Sequence, residues 1–529
     1  MNDPVMTHLK RFGLVALIGV MVILQLGKAS VATGGISPKT TPTPTATRVS
    51  PNKDGVPQTG IGTLQGSFVA ATPEPGSKNY DVGIAVDDSV GTTHATPPDP
   101  GSKNYESNAQ AVPAPGITAA ELAASGSLIT CGASGNLDWT TTSSSFEVIR
   151  QCTLSVPQNG WVFISADSSV ARTDGEYEAQ FRIGIDSTIG DADIDRWVNV
   201  YNDSGDGTDK SVALSVLKQV TAGSHTFYLL GRRYSGTGTV LLYDPTLTVI
   251  FVPATDSELL TCGASGNLSW TMTSSSFEVI RQCTLSVPQE GWVFISADSS
   301  AAQQDDEYEA QFRIGIDSTI GDVDIDRWVN VYNDSGDGTD ESVALSALRQ
   351  VTAGTHTFYF LGNRYSGAGT ALLYDPTLTV VYIPSPSSTA LTCGVADDSD
   401  WMTTSSSFEV IRQCTLSVPQ EGWAFISADS SPARMDGEYE AQFRIGIDDS
   451  TIGDVDIDRW VNVYNDSGDG TDKSVALSVL KQVTAGTHTF YFLGRRYSGA
   501  GTVFAYDPSL SVIVPGGARI YLPWIMKGQ

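Results

Sequence analysis

The block Ser144-Ser145-Phe146-Glu147-Val148-Ile149-Arg150-Gln151-Cys152 returns unchanged from Ser275 to Cys283 and again from Ser406 to Cys414. The first cysteine of each unit, Cys131, Cys262 and Cys393, sets a period of 131 residues. The repetition extends to polar residues that should face water, so it reads as one domain-sized unit used three times. That constrains the fold more than any other feature of the chain. It also points to multivalency, though it names no ligand.

Charge narrows the partners. The net charge is −28, and a surface this acidic repels polyanions, which excludes nucleic acid as a partner. The N-terminus carries Lys10-Arg11, the apolar run Phe12 to Gly27, and Lys28. Sixteen residues fall short of the roughly 20 that a membrane span needs. Ser30-Val31-Ala32 supplies small residues for cleavage before Thr33, so residues 1–32 read as a secretory signal peptide. An uncleaved N-terminal membrane anchor is the alternative. Residues 33–125, opening with Thr40-Thr41-Pro42-Thr43-Pro44-Thr45, are rich in Pro, Thr, Gly and Ser and poor in large apolar side chains. Such a segment reads as a disordered stalk.

Cysteine usage agrees with export. The six cysteines fall two per repeat, as Cys131/Cys152, Cys262/Cys283 and Cys393/Cys414. In an exported module this reads as one disulfide each, and no CxxC or paired histidine supports zinc. Closing each loop contributes about 3 kcal/mol in the chain-entropy model.

Within a repeat, apolar residues alternate at period two, the signature of strands. Phe146, Val148, Cys152, Leu154 and Val156 form an apolar row into which Arg150 intrudes, a residue expected near a strand end or beside an acid. Tyr177, Ala179, Phe181, Ile183 and Ile185 form another. Seven or eight strands joined by Gly/Asp/Ser turns give an all-β chain of three tandem antiparallel β-sandwich, jelly-roll-like domains at 126–253, 257–384 and 388–515. The stretch from Ser211 to Tyr228, an alternating strand ending in the turn Ala222-Gly223 before the next strand, resembles the late hairpin of C1q/TNF-like jelly rolls. The resemblance covers about the last half of each repeat and implies a fold, not an activity.

The connections between repeats, Pro253 to Glu258 and Pro384 to Ser388, are short. Six extended residues reach about 20 Å, so neighbouring modules lie close. Beads on a string and a closed pseudo-trimer both fit. C1q/TNF-like domains usually trimerise, which the resemblance carries over as an implication. The string is the arrangement expected here, because a filled and stapled sandwich can stand alone.

Three constellations bear on chemistry. Asp203, Asp206 and Asp209 lie on a Gly-bearing loop that could offer oxygens to Ca²⁺, but the loop departs from the EF-hand pattern and ordinary turn chemistry accounts for it. No metal or other cofactor is therefore assigned. Glu176 and Glu178 read as a charged outer row rather than a glycosidase pair. His225, His356 and His488 lack a Ser or Cys nucleophile partner and read as structural contacts. Among the aromatics, Trp161 and Trp197 are assigned to packing. Trp139, in a polar loop, with Trp270 and Trp401, is the candidate sugar platform.

The tail, residues 516–529, contains Tyr521-Leu522-Pro523 and resembles the C-terminal tails of some secreted bacterial proteins. The whole reads as an exported, bacterial, acidic, non-enzymatic protein of the cell surface or extracellular space. Its expected role is structural or adhesive, against an extracellular protein or polysaccharide surface. Multivalent carbohydrate binding is the alternative.

Overall fold

A computed structural model describes residues 129–515, apart from 136, 173, 191–193, 201, 204–205, 208, 255–258, 304, 321–324, 335–336, 386–389, 452–456 and 467–468. The signal segment, the stalk and the C-terminal tail lie outside the described residues. No helix occurs among those described. The first module runs through β1 (Ile129–Ala133), β2 (Trp139–Thr141), β3 (Glu147–Val156), β4 (Gly160–Arg172), β5 (Tyr177–Ile185) and β6 (Asp195–Val200). A two-residue pair, β7 (Asn202–Asp203) and β8 (Asp206–Gly207), precedes β9 (Asp209–Val220), β10 (Gly223–Gly236) and β11 (Val240–Pro253). The second and third modules repeat this order and end at Pro384 and Pro515.

Two antiparallel sheets face each other in each module. One has the order β1-β11-β4-β9, with β2 also on β11; the other is β3-β10-β5-β6. Leaving aside the short strands, eight strands in this order make a jelly roll. The disulfide Cys131–Cys152, with Cα atoms 5.9 Å apart, joins β1 of one sheet to β3 of the other. Cys262–Cys283 and Cys393–Cys414 do the same. The expected pairing forms, and it staples sheet to sheet.

One apolar row needs correcting. The β3–β10 register slips so that Arg150 pairs with Leu229 and Val148 with Leu230, leaving Ile149 unpaired. This bulge adds a residue and reverses the alternation. Ile149 therefore points into the core while Val148 is exposed. Arg150, which seemed to intrude, donates to the carbonyls of Pro245 and Leu137.

The modules do not form a string. Phe163, Phe294 and Phe425, one from each, are fully buried and meet edge to face with ring centroids 5.5–5.7 Å apart. Around them Leu217, Leu348, Leu480, Ile250, Val381 and Ile513 form a core belonging to all three modules. Three equivalent residues in mutual contact define a pseudo-threefold axis. Next along β4 and β9 comes a polar layer, in which the hydroxyls of Ser165 and Ser478, Ser215 and Ser296, and Ser346 and Ser427 pair across modules at 2.9–3.0 Å. The layer encloses a polar cavity of about 30 Å³, room for water.

A buried arginine clamps each seam. Arg196 of the first module reaches Asp298 of the second, Arg327 reaches Asp429 of the third, and Arg459 returns to Asp167 of the first. The last contact closes the ring. All five N–H donors of Arg196 are used: Nε and one terminal nitrogen on the Asp298 carboxylate and its carbonyl, the other on the carbonyls of Asp195 and Asp375. The second oxygen of Asp298 accepts from Ser215 and Thr377. Residues expected to face water therefore face another module. That is why the string expectation fails: β4 and β9 bury one face in their own module and the other at the axis.

Removing one partner of such a pair strands the other charge in the interior, at a cost of about 3–5 kcal/mol. Arg459→Met should lower the unfolding free energy by about that amount in urea titration. Replacing Arg459 and Asp167 together by apolar residues should recover most of the loss. A single substitution without measurable effect would mean that the clamp carries no weight in closure.

Candidate functional site: the aromatic seams

Each seam carries a surface built from two bulges and one edge strand. In β10 the register passes from Arg233 opposite Ala179 to Ser235 opposite Glu178, so Tyr234 has no partner residue. A bulge re-aims its side chain, and Tyr234 stands 45% exposed. Its counterparts Tyr365 and Tyr497 sit on the same irregularity and are equally open. Trp197 on β6 meets Tyr234 edge to face at 4.5 Å, as Trp328 meets Tyr365 and Trp460 meets Tyr497.

The neighbouring module completes the group. The backbone N–H of Trp197 donates to Ser300 Oγ at 2.8 Å, and that of Asp195 to Asp375 Oδ2 at 3.1 Å. These bonds dock the edge strand of one module against the next. A tyrosine from the bulge in the next module's last strand then approaches the tryptophan. Tyr506 lies 6.3 Å from Trp328, and Tyr243 lies 6.5 Å from Trp460.

The array continues over the outer face of the sheet. The guanidinium groups of Arg182 and Arg232 flank the Phe146 ring, each 4.6 Å from its centroid, and Arg232 also lies 5.3 Å from Tyr234. Arg182 is neutralised by Asp195 through paired hydrogen bonds. Arg232 donates to the Gln180 amide oxygen and the Ser144 carbonyl, neutral partners that leave its charge in place. The third module repeats the ladder with Arg444, Phe408, Arg495 and Tyr497. In the second module Asn363 replaces the Arg232 counterpart, so that face holds a single guanidinium, Arg313, over Phe277.

Carboxyls border the aromatics. Glu178 accepts from Ser235 Oγ at 3.0 Å. Across the seams Asp340 meets Glu178, and Asp209 meets Glu440; burial, reinforced by the facing glutamate, raises both aspartates well above the usual carboxylate range. Burial beside another acid drives each aspartate toward its protonated form.

The sequence-derived candidates fall elsewhere. The rings of Trp139, Trp270 and Trp401 are half-buried and pack against the cores of their modules. The Trp401 ring lies over Gly494, where an added Cβ would come within 3.0 Å of it. Trp197, assigned to packing from the alternation of β6, belongs to the outward array instead. Asp203 and Asp206 pair in backbone register on β7 and β8, and their side chains lie outside the described residues. Asp209 points to Glu440, as above. Among the described residues there is no group of three or more His, Cys, Asp or Glu placed to hold a metal ion.

His225 has its Nδ1 2.6 Å from Asp186 and its Nε2 2.8 Å from the Thr221 carbonyl. Burial alone would lower its pKa, but these two acceptors outweigh it and raise the value above 6.5; His356 is raised in the same way by Asp317 and Thr352. Asp186, at φ 56°, is lowered: burial opposes, but the Thr226 N–H and His225 prevail. Beside the arginine clamps, burial pushes Asp244 and Asp507 up to about 7, against the pull of Arg459 and Arg327. The buried Oδ1 of Asp244 has no hydrogen-bond partner among the described residues.

No family model and no curated protein matches the chain. Among solved structures it is similar to the VP2 subviral particle of infectious bursal disease virus, at 9% identity over 72% of this chain and 82% of that chain, TM-score 0.18. It is similar to the CBM22-1-CBM22-2 tandem of Paenibacillus barcinonensis Xyn10C, at 13% identity over 48% of this chain and 92% of that one, TM-score 0.15. It is also similar to an archaeal virus protein described as a triple jelly roll, at 8% identity over 74% and 89%, TM-score 0.16. The jelly-roll assignment itself stands on the strand order.

The titrating groups fix a stability window. His225, His356, Asp244 and Asp507 have folded pKa values above their unfolded ones, so their contributions are full below the unfolded values and fade as pH rises through the folded ones. Asp186 has a lowered value, and its contribution is lost as pH falls below about 4. Stability measured by urea denaturation should therefore be greatest near about pH 4 and decline from there through pH 7. Asp244→Asn with Asp507→Asn should flatten the decline. An unchanged slope in that double variant would exclude these carboxyls as its source.

Proposed function

We propose that the chain is an extracellular, non-enzymatic adhesive protein whose ring presents three polysaccharide-binding faces. The observation that carries this reading is the half-exposed array of Tyr234, Trp197, Arg232 and Phe146, recurring with variation around a closed ring. Flat aromatic faces stack against the C–H face of a sugar ring, while arginine and carboxylate at their border suit its hydroxyls. A shallow, open surface of this kind fits an extended chain of sugars better than a small enclosed molecule. The three disulfides favour an oxidising compartment, in keeping with the apolar N-terminal segment read as an export signal.

Three weak sites on one body raise avidity by a factor of 10² or more where the target presents repeated units. A long polysaccharide does so. The full chain should be depleted from solution by at least one insoluble polysaccharide in a panel of cellulose, chitin, xylan and peptidoglycan. Tyr234→Ala, Tyr365→Ala and Tyr497→Ala together should cut retention at least tenfold, with a melting temperature lowered by only a few degrees because each ring loses one edge-to-face contact to tryptophan while the cores stay intact. Trp139→Ala should have a smaller effect on retention than on stability. Equal retention by the triple variant and the parent would place binding elsewhere, and no retention on any member would leave a purely structural protein.

A further inference from the structure

Most contacts that close the ring recur at every seam, and one buried position at the axis stands out from them. The axis-facing residues Phe163, Ser165, Asp167 and Ser169 on β4, and Ser211, Ala213, Ser215 and Leu217 on β9, have identical counterparts in the other two modules. The residue just before Ser211 does not. It is Lys210 in the first module, Glu341 in the second and Lys473 in the third. These side chains meet one another: Lys210 Nζ lies 2.7 Å and Lys473 Nζ 2.8 Å from the same oxygen of Glu341. All three residues are at most 5% exposed. The Tyr332 ring stands 5.9 Å from Lys473 Nζ.

We infer that Lys210, Glu341 and Lys473 are the specificity determinants of ring closure, admitting one Glu-bearing and two Lys-bearing modules at the axis and rejecting three of a kind. Charge decides the matter. The native set holds two ammonium groups against one carboxylate, and each ammonium has a partner. Three lysines would bring three like charges into mutual contact with no carboxylate between them, and the adjacent Asp340, which burial and Glu178 hold toward its neutral form, compensates little; three glutamates would do the reverse. Uncompensated buried charge is among the most destabilising changes a core can suffer. The phenylalanine, serine and aspartate positions of the axis are the same in every module and so do not discriminate between modules. Without the triad, a module of one chain could pair with the same module of another chain, which is the route to domain swapping. A buried polar residue that weakens packing but selects the right partners has precedent in the single asparagine at a core position of a coiled coil.

The test uses the full chain and relies on permutation. Glu341→Lys places three lysines at the axis, and the melting temperature should fall by on the order of 10 °C. Adding Lys210→Glu to that variant restores one carboxylate and two ammonium groups in a different order. It should return the melting temperature to within a few degrees of the parent, with a monomeric mass by light scattering. Methionine at all three positions should also stay close to the parent, since an apolar layer strands no charge. A Glu341→Lys variant as stable as the parent would overturn the inference. So would failure of the permuted variant to recover, or a methionine variant as damaged as Glu341→Lys, because either would make the triad a local stabiliser tied to its native positions.

Discussion

The architecture rests on an arginine that leaves its own module. Arg196, Arg327 and Arg459 each stand on a four-stranded sheet and place a fully buried guanidinium inside the next module. A buried ion pair contributes little net stability, because the desolvation of both charges offsets their attraction. Its value lies in geometry. A guanidinium such as that of Arg196, with all five donors engaged and facing a carboxylate that also holds two hydroxyls, fits in one position only. Module cannot slide on module without breaking the whole set. The apolar layer around Phe163, Phe294 and Phe425 supplies attraction without direction, and the clamp supplies the direction.

Docking the edge strand has a second consequence. An exposed sheet edge is a liability, since its free N–H and C=O groups invite pairing with other chains. Here the N–H groups of Asp195 and Trp197 are taken by Asp375 and Ser300 of the next module. The same docking brings Trp197 and Tyr234 alongside the neighbour's bulged strand. Ring closure and assembly of the aromatic surface are thus one event. The second module departs from the others at the axis, where it carries Glu341, and on the outer face, where it carries Asn363, so the pseudo-symmetry is broken at the same module inside and out.

Much of the module was legible in the sequence, and little of the assembly. Period-two alternation marks the strands because one face must be apolar, and the fixed cysteine spacing marks the staple. A bulge leaves no such trace. Ile149 and Tyr234 each reverse the face pattern from within an otherwise regular run, so Val148 looked buried and the outward tyrosine looked ordinary. The ring was hidden for a different reason. Ser165, Asp167, Ser211 and Ser215 alternate with apolar residues just as a solvated face does, and polarity alone cannot separate water from a hydrogen-bonded interface. Identity among the copies does not separate them either, since the exposed Glu147, Gln151, Thr153 and Ser155 of β3 are just as invariant. The Lys/Glu/Lys position differs among the copies, and only the contacts reveal that the differences answer one another.

The ring also alters what three copies mean for binding. On a string, each module would carry its own site, and linker length would set the effective concentration of the next. In the ring, Trp328 and Tyr365 come from one module and the facing Tyr506 and Asp507 from the next, so no module alone holds the whole seam. The sites are also fixed in spacing, because the axis core and the clamps permit no relative motion without loss of buried contacts. Fixed spacing removes the entropy that flexible modules lose when they engage one surface together. It also restricts the targets to those whose repeats present matching contacts. Three seams built on one mould, with the second varied by Asn363, therefore suit a repetitive polymer or surface rather than three unrelated ligands.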